Sequence, residues 1–499
     1  MRQSCPLDRK EPGKVVLFNS YEYVLMFLPV SLILYFIFNR LFSKRVGVAW
    51  LVLASLFFYS YWNIKYLPLI LVSTIVNYLT GSTLSRLAVS DDPRRRILLI
   101  LGLCFNLGLL GYYKYTDFFI SNLNYLGNHL TLLHIILPLG ISFFTFTQIA
   151  YLVDAYRGEV REYSLLNYAL FVTFFPHLLA GPIIHHREMM PQFASDDNKG
   201  INYENLSRGL FLLSLGLFKK VIIADVFAVW ANYGFDTAVS LTLLEAWITS
   251  LSYTLQLYFD FSAYTDMAIG SALMFNIRLP INFNSPYKSL SIQEFWRRWH
   301  ITLSRFLRDY IYIPLGGNQR GQAGIYRNIM ITFLLGGLWH GAAWTFVFWG
   351  FLHGLALVIN RAWQRLGCKM NKVLAWFITF NFVNMAFVFF RAKSWEDAGK
   401  VLSGMLGLQG VSLPASFSGS LAFLSEYGVK FGAFNMAVDL KLAALALVAA
   451  MVLVLGFKNS IEMETRFRPN PFYALLATAA AVAAILNLSN ITQFIYFNF

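Results

Sequence analysis

Residues 328–354 read NIMITFLLGGLWHGAAWTFVFWGFLHG, an apolar run long enough to cross a bilayer. Between residues 329 and 352 the only ionisable side chain is His340, which lies near the middle of the run. On one continuous helix Gly336, Gly337 and Trp344 would be its neighbours on the same face, so the imidazole would face a slot beside an indole. A histidine at this depth indicates either a site open to water or substrate or a core histidine bonded to neighbouring helices, and the flanking glycines favour the site.

The composition predicts a membrane protein. Of 499 residues, 57% are hydrophobic and 13% are charged, a balance too apolar for a soluble protein of this length. Apolar stretches recur along the whole chain and leave no polar block large enough for a soluble domain, so we expect one integral membrane domain over residues 1–499. The net charge of +14 comes from short clusters between apolar spans, as in cytoplasmic loops, and this argues against a nucleic-acid partner.

We expect an all-α polytopic fold of about 11 transmembrane helices, with additional re-entrant and interfacial helices. The other apolar spans are residues 15–38, 46–62, 66–84, 97–113, 135–153, 165–179, 209–230, 243–259, 377–390, 443–457 and 472–488. The first span lacks a clear small-residue cleavage site after it, so we expect it to be retained. Basic clusters at residues 40–45 and 86–96 predict a cytoplasmic first and third loop, although the basic residues within 2–14 argue against an outside N-terminus.

A second signal lies at residues 279–318, LPINFNSPYKSLSIQEFWRRWHITLSRFLRDYIYIPLGGN. Ser291, followed three residues later by Glu294, predicts a capped helix start, after which apolar residues recur at helical spacing opposite basic ones. This pattern predicts one basic amphipathic helix at the membrane surface. His300 lies at the edge of its apolar face, so it could reach the same pocket as His340. The alternative is a plain interfacial anchor.

Other polar residues carry weaker signals. Asp260 and Asp266 are the only ionisable residues between positions 247 and 277. Either each bonds to an arginine or to backbone groups freed by a helix break, or both shape a cavity around the histidines. His185 and His186 have no third ligand nearby, so no metal site is predicted. The cysteines at positions 5, 104 and 368 show neither disulfide-framework nor metal-ligand spacing.

Several motifs together resemble the membrane-bound O-acyltransferases, and in particular the bacterial alginate O-acetyltransferase branch. They extend over essentially the whole chain and comprise residues 18–29 (FNSYEYVLMFLP), 137–158 (LPLGISFFTFTQIAYLVDAYRG), 171–183 (FVTFFPHLLAGPI), 216–225 (GLFKKVIIAD), 258–275 (YFDFSAYTDMAIGSALMF), 278–318, 334–354 and the terminal FIYFNF. Ala263 and Thr265 stand where the family pattern leads us to expect Gly and Ser, a small departure.

The resemblance implies a bundle of tilted helices around a central funnel or tunnel. His340 matches the family's catalytic histidine and His300 its second histidine. We expect tunnel and substrate-binding roles for Trp339, Trp344, Trp296, Gly336, Gly337, Asp260, Asp266 and Asn284. We expect Arg297, Arg298, Arg305 and Arg308 to attract donor phosphates, with a solvated surface face as the alternative for any one of them.

The chemistry that fits these features is acyl transfer from a thioester to a hydroxyl, with His340 as general base. His300 would position a substrate or stabilise the developing oxyanion, while Trp339 and Trp344 would exclude water. By resemblance, the donor substrate is cytoplasmic acetyl-CoA, with no bound cofactor. The acetyl group would pass through a bacterial inner membrane to periplasmic acetyltransferases acting on an alginate-like exopolysaccharide. Alternatives are D-alanyl or other acyl transfer to teichoic acid, cellulose or peptidoglycan and, in another class of protein, polysaccharide or lipid export.

Overall fold

The computed structural model describes residues 17–87, 92–160, 164–432, 434, 440–488 and 494–495. Expectations for the start of the first span, for the charges of the N-terminus, for Cys5 and for most of the terminal FIYFNF motif lie outside these residues. Most of the described chain is helical, and the only strands in these ranges are two short parallel ones, β1 (Ser412–Leu413) and β2 (Lys430–Phe431).

The first half of the chain forms ten α-helices in the described ranges. They are α1 (Leu28–Leu41), α2 (Lys44–Trp62), α3 (Leu67–Arg86), α4 (Pro93–Leu110), α5 (Thr116–Tyr125), α6 (Ile141–Arg157), α7 (Leu165–Thr173), α8 (Phe175–Leu178), α9 (His186–Ala194) and α10 (Tyr203–Phe218). Helix α6 starts at Ile141, six residues later than the apolar pattern predicts, because residues 126–140 are not helical. Helices α7 and α8 are too short to cross a bilayer, in keeping with the expectation of additional helices that do not span it.

The second half adds eleven α-helices in the described ranges. They are α11 (Asp225–Asn232), α12 (Leu243–Met274), α13 (Ile292–Arg298), α14 (Ile301–Leu307), α15 (Gly321–His340), α16 (Trp344–Arg365), α17 (Lys372–Arg391), α18 (Trp395–Met405), α19 (Leu440–Gly456), α20 (Ser460–Thr465) and α21 (Pro471–Leu486). Short wider π-helical turns join several helices, at Glu22–Phe27, Gly111–Tyr115, Lys219–Ala224, Tyr233–Thr237 and Arg308–Tyr312. Short 3₁₀ turns lie at Ile64–Tyr66, Asp196–Lys199, Pro286–Lys288, Ala415–Phe417 and Ala422–Tyr427.

The predicted all-α membrane fold is confirmed. Within the described residues, six helical segments are long and apolar enough to span a bilayer, and two shorter apolar helices, Lys441–Gly456 and Pro471–Leu486, accompany them. The six are Glu22–Leu41, Lys44–Trp62, Ile64–Arg86, Pro93–Tyr125, Trp344–Arg365 and Lys372–Arg391. The expected total of about 11 crossings stays a prediction.

Polar contacts between helix termini identify one end of the bundle. The guanidinium of Arg95, at the start of α4, donates to the carbonyl of Leu84 at the end of α3 and to that of Tyr156 at the end of α6. Arg157 in turn donates to the carbonyl of Asp309. The end that carries these residues and the basic loops at 40–45 and 86–96 is called the basic end below, and the opposite end is called the far end.

The core is built on the 32-residue helix α12, which is buried along nearly its whole length. It packs backbone to backbone on α10, since a Cβ added at Gly209 would lie 2.6 Å from the carbonyl oxygen of Gly270, and one added at Gly270 would lie 2.6 Å from that of Gly209. A capping box of Thr242 and Glu245 starts the helix. No break interrupts α12 at Asp260 or Asp266, so the expected helix break there is wrong.

The stretch 328–354 is a helical hairpin, not one continuous span. Helix α15 ends at His340, residues 341–343 turn, and α16 returns from Trp344. A Cβ on Gly337 would collide with the carbonyl oxygen of Phe346, and one on Gly350 with that of Phe333. The glycines therefore serve close helix packing, and the prediction of one straight helix is wrong.

The amphipathic stretch after Ser291 is likewise broken. The Ser291 hydroxyl accepts from the backbone N–H of Glu294, as predicted, and starts α13. The helix stops after seven residues because Trp299 is extended and His300 has a left-handed backbone, with φ of 44°. A second seven-residue helix, α14, then begins. The prediction of one surface helix is wrong, since the break turns His300 into the core.

Candidate functional site

The two sequence-predicted histidines meet in the interior of the bundle. His300 is 0% and His340 is 3% exposed, and their ring centres lie 6.2 Å apart. His300 comes from the break between α13 and α14, and His340 from the last residue of α15. A helix break and a helix C-terminus, 40 residues apart in sequence, thus bring the two imidazoles together. The predicted half-buried position of His300 is wrong, because the ring is fully enclosed.

The tautomer of His300 is fixed by Asn282. The Oδ1 atom of Asn282 accepts from the backbone N–H of Thr302 at 3.2 Å and from its hydroxyl at 2.8 Å, so this atom is the amide oxygen. The Nδ1 atom of His300 lies 3.2 Å from the same oxygen and must donate to it. Neutral His300 then has its acceptor lone pair on Nε2. In this neutral tautomer Nε2 accepts hydrogen bonds and does not donate them.

Aromatic rings enclose His340. Its ring centre lies 4.9 Å from that of Trp339, 5.1 Å from that of Trp349 and 5.1 Å from that of Phe390. Trp339 also packs beside His300, at 6.2 Å, and stacks on Phe146 at 5.1 Å. The indole N–H groups of Trp339 and Trp349 are buried and have no hydrogen-bond partner within the described part of the chain. The indole rings that carry these two donors thus both pack against the imidazole.

Lys114 supports His340 and was missed by the sequence reasoning. Its ammonium group donates to the carbonyls of Trp339 and His340, at 2.6 and 3.1 Å, and lies 3.3 Å from the hydroxyl of Ser142. The last carbonyls of a helix carry partial negative charge, so a cation stabilises this helix end. No carboxylate within the described ranges forms an ion pair with Lys114. The signal in the sequence is a lone lysine, in GYYKY, at the end of an apolar span.

The other expected tunnel residues are dispersed. Trp344 does not wall the imidazole, since the helix ends before it. Its side chain is 55% exposed and donates to Oδ1 of Asn122 at 2.8 Å. Trp296 is buried and donates to Nδ1 of His353 at 3.2 Å, one layer from His340 behind Trp349. The slot expected over the two glycines is filled, Gly336 by Leu307 and Gly337 by α16.

The two aspartates bond to consecutive lysines, not to arginines. Asp260 pairs with Lys220 at 2.8 Å, and both side chains are 2% exposed. Asp266 pairs with Lys219 at 2.8 Å. Lys220 also pairs with Asp225 at 2.8 Å. Sequence reasoning treated the two lysines only as an interruption of an apolar span, but buried charges need partners, and these lysines supply them.

A cavity of about 650 Å³ opens at the far end. Its wall includes Phe390, which contacts the His340 ring, and Ala343 of the hairpin turn. Its polar lining combines Lys220, Asp225, Asn232, Asp236, Tyr253, Gln256, Arg391 and Lys393. Partial burial alone would raise the pKa of Asp236, but hydrogen bonds from Arg391 and Lys393 outweigh burial and hold that pKa below its ordinary value.

A second cavity, of about 610 Å³, lies at the basic end between α10, α12 and α19–α21. It is bounded by Lys219, Tyr258, Asn459 and Ser460, which also line a void of about 10 Å³ that reaches Asn282. Such a void has room for about one water molecule. Asn284 accepts from the side chain of the lining residue Asn459 at 3.2 Å but is not itself part of the lining. Asn282, which bonds to His300, thus borders this void, and Phe390, which contacts His340, borders the far-end cavity, but neither histidine is among the lining residues of these cavities.

The four arginines of residues 297–308 have different surroundings. Arg297 is exposed, and Arg298 pairs with Glu294 at 2.9 Å. Arg305 pairs with Glu188 at 2.6 Å, and Arg308 pairs with its neighbour Asp309. Three of the four positive charges are thus already balanced, which favours the surface-face alternative over a shared phosphate site.

The histidines considered for a metal are separated by packing. His185 Nδ1 lies 3.1 Å from the Tyr310 hydroxyl, which donates to Asp154 at 2.8 Å. The His186 ring packs between Tyr151 and Phe171. No group of three or more metal-ligating side chains occurs in the ranges that the structure describes. The two cysteines in those ranges, Cys104 and Cys368, are free and exposed.

The fold is that of a multi-pass membrane protein with two histidines buried side by side in its interior. Residues 15–394 match the model of the membrane-bound O-acyltransferase family. The chain belongs to the membrane-bound O-acyltransferase family, and it is an O-acyltransferase; the export alternative is therefore excluded.

Similar proteins cover different shares of the chain. A protein named peptidoglycan O-acetyltransferase from Helicobacter pylori is 48% identical and covers 97% of this chain and 98% of its own length. A probable alginate O-acetylase AlgI from Pseudomonas aeruginosa is 41% identical over 78% of this chain and 75% of its own. A teichoic acid D-alanyltransferase from Streptococcus thermophilus is 28% identical over 50% of this chain and 68% of its own.

Proposed function

We propose that this enzyme moves an acetyl group from acetyl-CoA, bound at the basic end, to a hydroxyl that arrives from the far end, with His340 as general base. The observation that carries the proposal is the buried pair of His340 and His300, 6.2 Å apart between cavities at both ends. A hydroxyl is a weak nucleophile at neutral pH, and a positioned imidazole is the group that its attack requires.

The donor side is the basic-end cavity. Positive charge concentrated at this end is typical of the cytoplasmic face, where acetyl-CoA is made available. The cavity narrows past Lys219 and Ser460 to the small void beside Asn282, and Asn282 in turn bonds to His300. A void with room for about one water molecule must widen before a thioester arm can pass, and a slender arm needs less widening than a bulky group does. In this arrangement the basic end faces the cytoplasm of a bacterial inner membrane.

The chemical step is a proton-balanced acyl transfer. His340 takes the proton of the acceptor hydroxyl while the oxygen attacks the thioester carbonyl carbon. The C–S bond then breaks, and the imidazolium returns the proton to the departing thiolate of CoA. His300, with its lone pair on Nε2, accepts a hydrogen bond from the acceptor hydroxyl or from the ring of His340 and so orients the base.

The developing oxyanion needs donors, and the indole N–H groups of Trp339 and Trp349 are the available ones. Both are buried beside His340, and neither has a partner within the described part of the chain. In a water-excluded site each such donor is worth about 100-fold or more in rate. This assignment replaces the oxyanion role first expected for His300.

The acceptor side is the far-end cavity, and the final acceptor is a cell-wall glycan. The relative named for peptidoglycan matches this chain over nearly its full length, including the region after residue 394, whereas the alginate relatives cover 78% of it. Peptidoglycan is therefore preferred over the alginate-like polymer. The far-end cavity, of about 650 Å³, is small for a polymer and does not have His340 in its lining, so in this proposal the immediate acceptor is the hydroxyl of a periplasmic partner protein, which acetylates the sugar afterwards.

The test is acetyl transfer in proteoliposomes with radiolabelled acetyl-CoA on one face. Label should leave CoA only when acetyl-CoA is presented to the basic end, and peptidoglycan in intact cells should lose its O-acetyl groups when the enzyme is deleted. Replacement of exposed His129 by Ala is the matched control for His340→Ala. Transfer from label presented at the far end would overturn the proposal.

A further inference from the structure

A cavity of about 440 Å³ at the basic end plays no part in the proposed reaction. It lies at the open end of the α15–α16 hairpin, remote from the turn that carries His340. Residues from three elements line it: Gln293 of α13, Gln322 and Ile329 of α15, and Leu357, Asn360, Arg361, Gln364 and Arg365 of α16. The lining is unusual because it holds two cations and four amides but no carboxylate.

The two arginines are available for a ligand. Arg361 and Arg365 are one helical turn apart and therefore lie on the same face of α16. Within the described ranges, neither forms an ion pair with a carboxylate. Arg305 and Arg308 at the same end are paired, so an unbalanced pair of arginines in a concave site is a specific feature. Planar guanidinium groups hold phosphate oxygens through paired N–H donors.

The side-chain amides that line the cavity have only part of their hydrogen bonds satisfied. The Gln364 side chain donates to Gln293 and to Asn360, both at 3.2 Å, which fixes one side of the cavity across two helices. The carbonyl oxygen of the Gln322 side chain is buried and has no donor among the described residues. A ligand that completes the site therefore brings a hydroxyl as well as anionic oxygens.

The residues around the cavity favour a membrane lipid as the molecule that carries the phosphate. The face of α16 opposite the cavity is apolar and exposed, with Ile359 at 57% and Trp363 at 40%. An exposed tryptophan at the end of an apolar helix face is typical of the membrane interface. Basic pockets between membrane helices at a positive face bind anionic lipid headgroups. The floor, Ile329 and Leu357, is apolar and suits the start of an acyl chain.

We propose that the cavity of Arg361 and Arg365 binds the phosphate and headgroup hydroxyls of an anionic phospholipid such as phosphatidylglycerol. The bound lipid joins α13 to both helices of the hairpin and so braces the open end of the element that carries His340. The site is independent of the acyl-transfer step, because it depends on neither histidine.

The test uses intact purified protein, delipidated in detergent and then mixed with equal amounts of phosphatidylglycerol and phosphatidylcholine. Native mass spectrometry counts the lipids retained by the wild type, by Arg361→Gln/Arg365→Gln, and by Lys369→Gln/Lys372→Gln. The last variant removes two exposed charges at the same end but outside the cavity. Because each charge-assisted hydrogen bond contributes about 10-fold or more in affinity, the arginine variant should retain at least about 10-fold less phosphatidylglycerol than the lysine variant.

Two results would overturn the proposal. Equal phosphatidylglycerol retention by the two double variants would mean that the cavity does not hold the headgroup. Displacement of phosphatidylglycerol from the wild type by an equal concentration of inorganic phosphate or of CoA would identify a site for free phosphate instead of lipid. A size-exclusion profile like that of the wild type shows that each variant is folded.

Discussion

Replacing Lys114 tests how the structure holds His340, the proposed general base. The ammonium group binds the last two carbonyls of α15, those of Trp339 and His340, at 2.6 and 3.1 Å. Lys114→Met keeps the length of the side chain but removes both bonds, each worth about 1.5–3 kcal/mol because the donor is charged. The turn that carries His340 then loses its fixed position, and a displacement of about 1 Å at a reacting group costs about 100-fold in rate.

The assay is acetyl transfer by the purified enzyme at a series of acetyl-CoA concentrations. For Lys114→Met, kcat should fall about 100-fold while KM for acetyl-CoA changes less than about 3-fold, since the donor does not contact the lysine. Lys114→Arg keeps the charge and should recover most of the loss. Lys65→Met, an exposed lysine at the far end, is the matched control. An unchanged kcat in folded Lys114→Met would refute the reasoning, as would a loss confined to KM.

Two further predictions concern residues whose roles the structure reassigns. Lys220→Met leaves the carboxylate of Asp260 buried without its cation, at a cost of about 3–5 kcal/mol. The midpoint of thermal unfolding in detergent should therefore fall by about 5 °C or more. The double variant Lys220→Met/Asp260→Asn should recover at least half of that fall. Additive losses in the double variant would contradict the pairing. Trp344→Ala, at an exposed position, should change the rate of acetyl transfer by less than about 3-fold, whereas Trp349→Phe should lower it about 100-fold by removing an oxyanion donor. Equal rates in the two tryptophan variants would remove Trp349 from the mechanism.

The apolar spans were enough to predict the membrane class and the all-α fold, because hydrophobicity over about 20 residues is a strong signal. The local cap at Ser291 was also predictable, since it depends only on neighbouring residues. The sequence did not predict where a continuous apolar or amphipathic pattern is divided into two helices. The turn at residues 341–343 contains only Gly and Ala, and no proline or charge marks it. The hydrophobic pattern therefore continues across a reversal of direction.

The break at His300 was invisible for a related reason. A left-handed backbone at a histidine is uncommon and costs energy, so neither helical periodicity nor composition predicts it. It persists here because the ring bonds to Asn282 and packs against Phe261 and Trp339. The sequence did predict that the two histidines lie close to each other. Their burial and the tautomer of His300 depend on contacts between distant segments.

The pairing of charged side chains with their partners was the least predictable feature of the site. Asp260 and Asp266 were expected to need counter-charges, but the choice between arginine and the nearby lysines depends on how α10 and its π-helical turn lie against α12. Lys114 was overlooked because a helix C-terminus accepts a cation through carbonyls, which carry no sequence signature. Trp349 was passed over in favour of Trp344, an error that follows directly from the assumed straight helix.

The most direct measurement of the central claim is acetyl transfer from acetyl-CoA by His340→Ala, compared with His129→Ala and the wild type at equal amounts of folded protein. If the imidazole of His340 is the general base between the two cavities, its removal should lower the rate by about 100 to 10,000-fold, while His129→Ala transfers at the wild-type rate. A His340→Ala enzyme that transfers acetyl groups at close to the wild-type rate would contradict it.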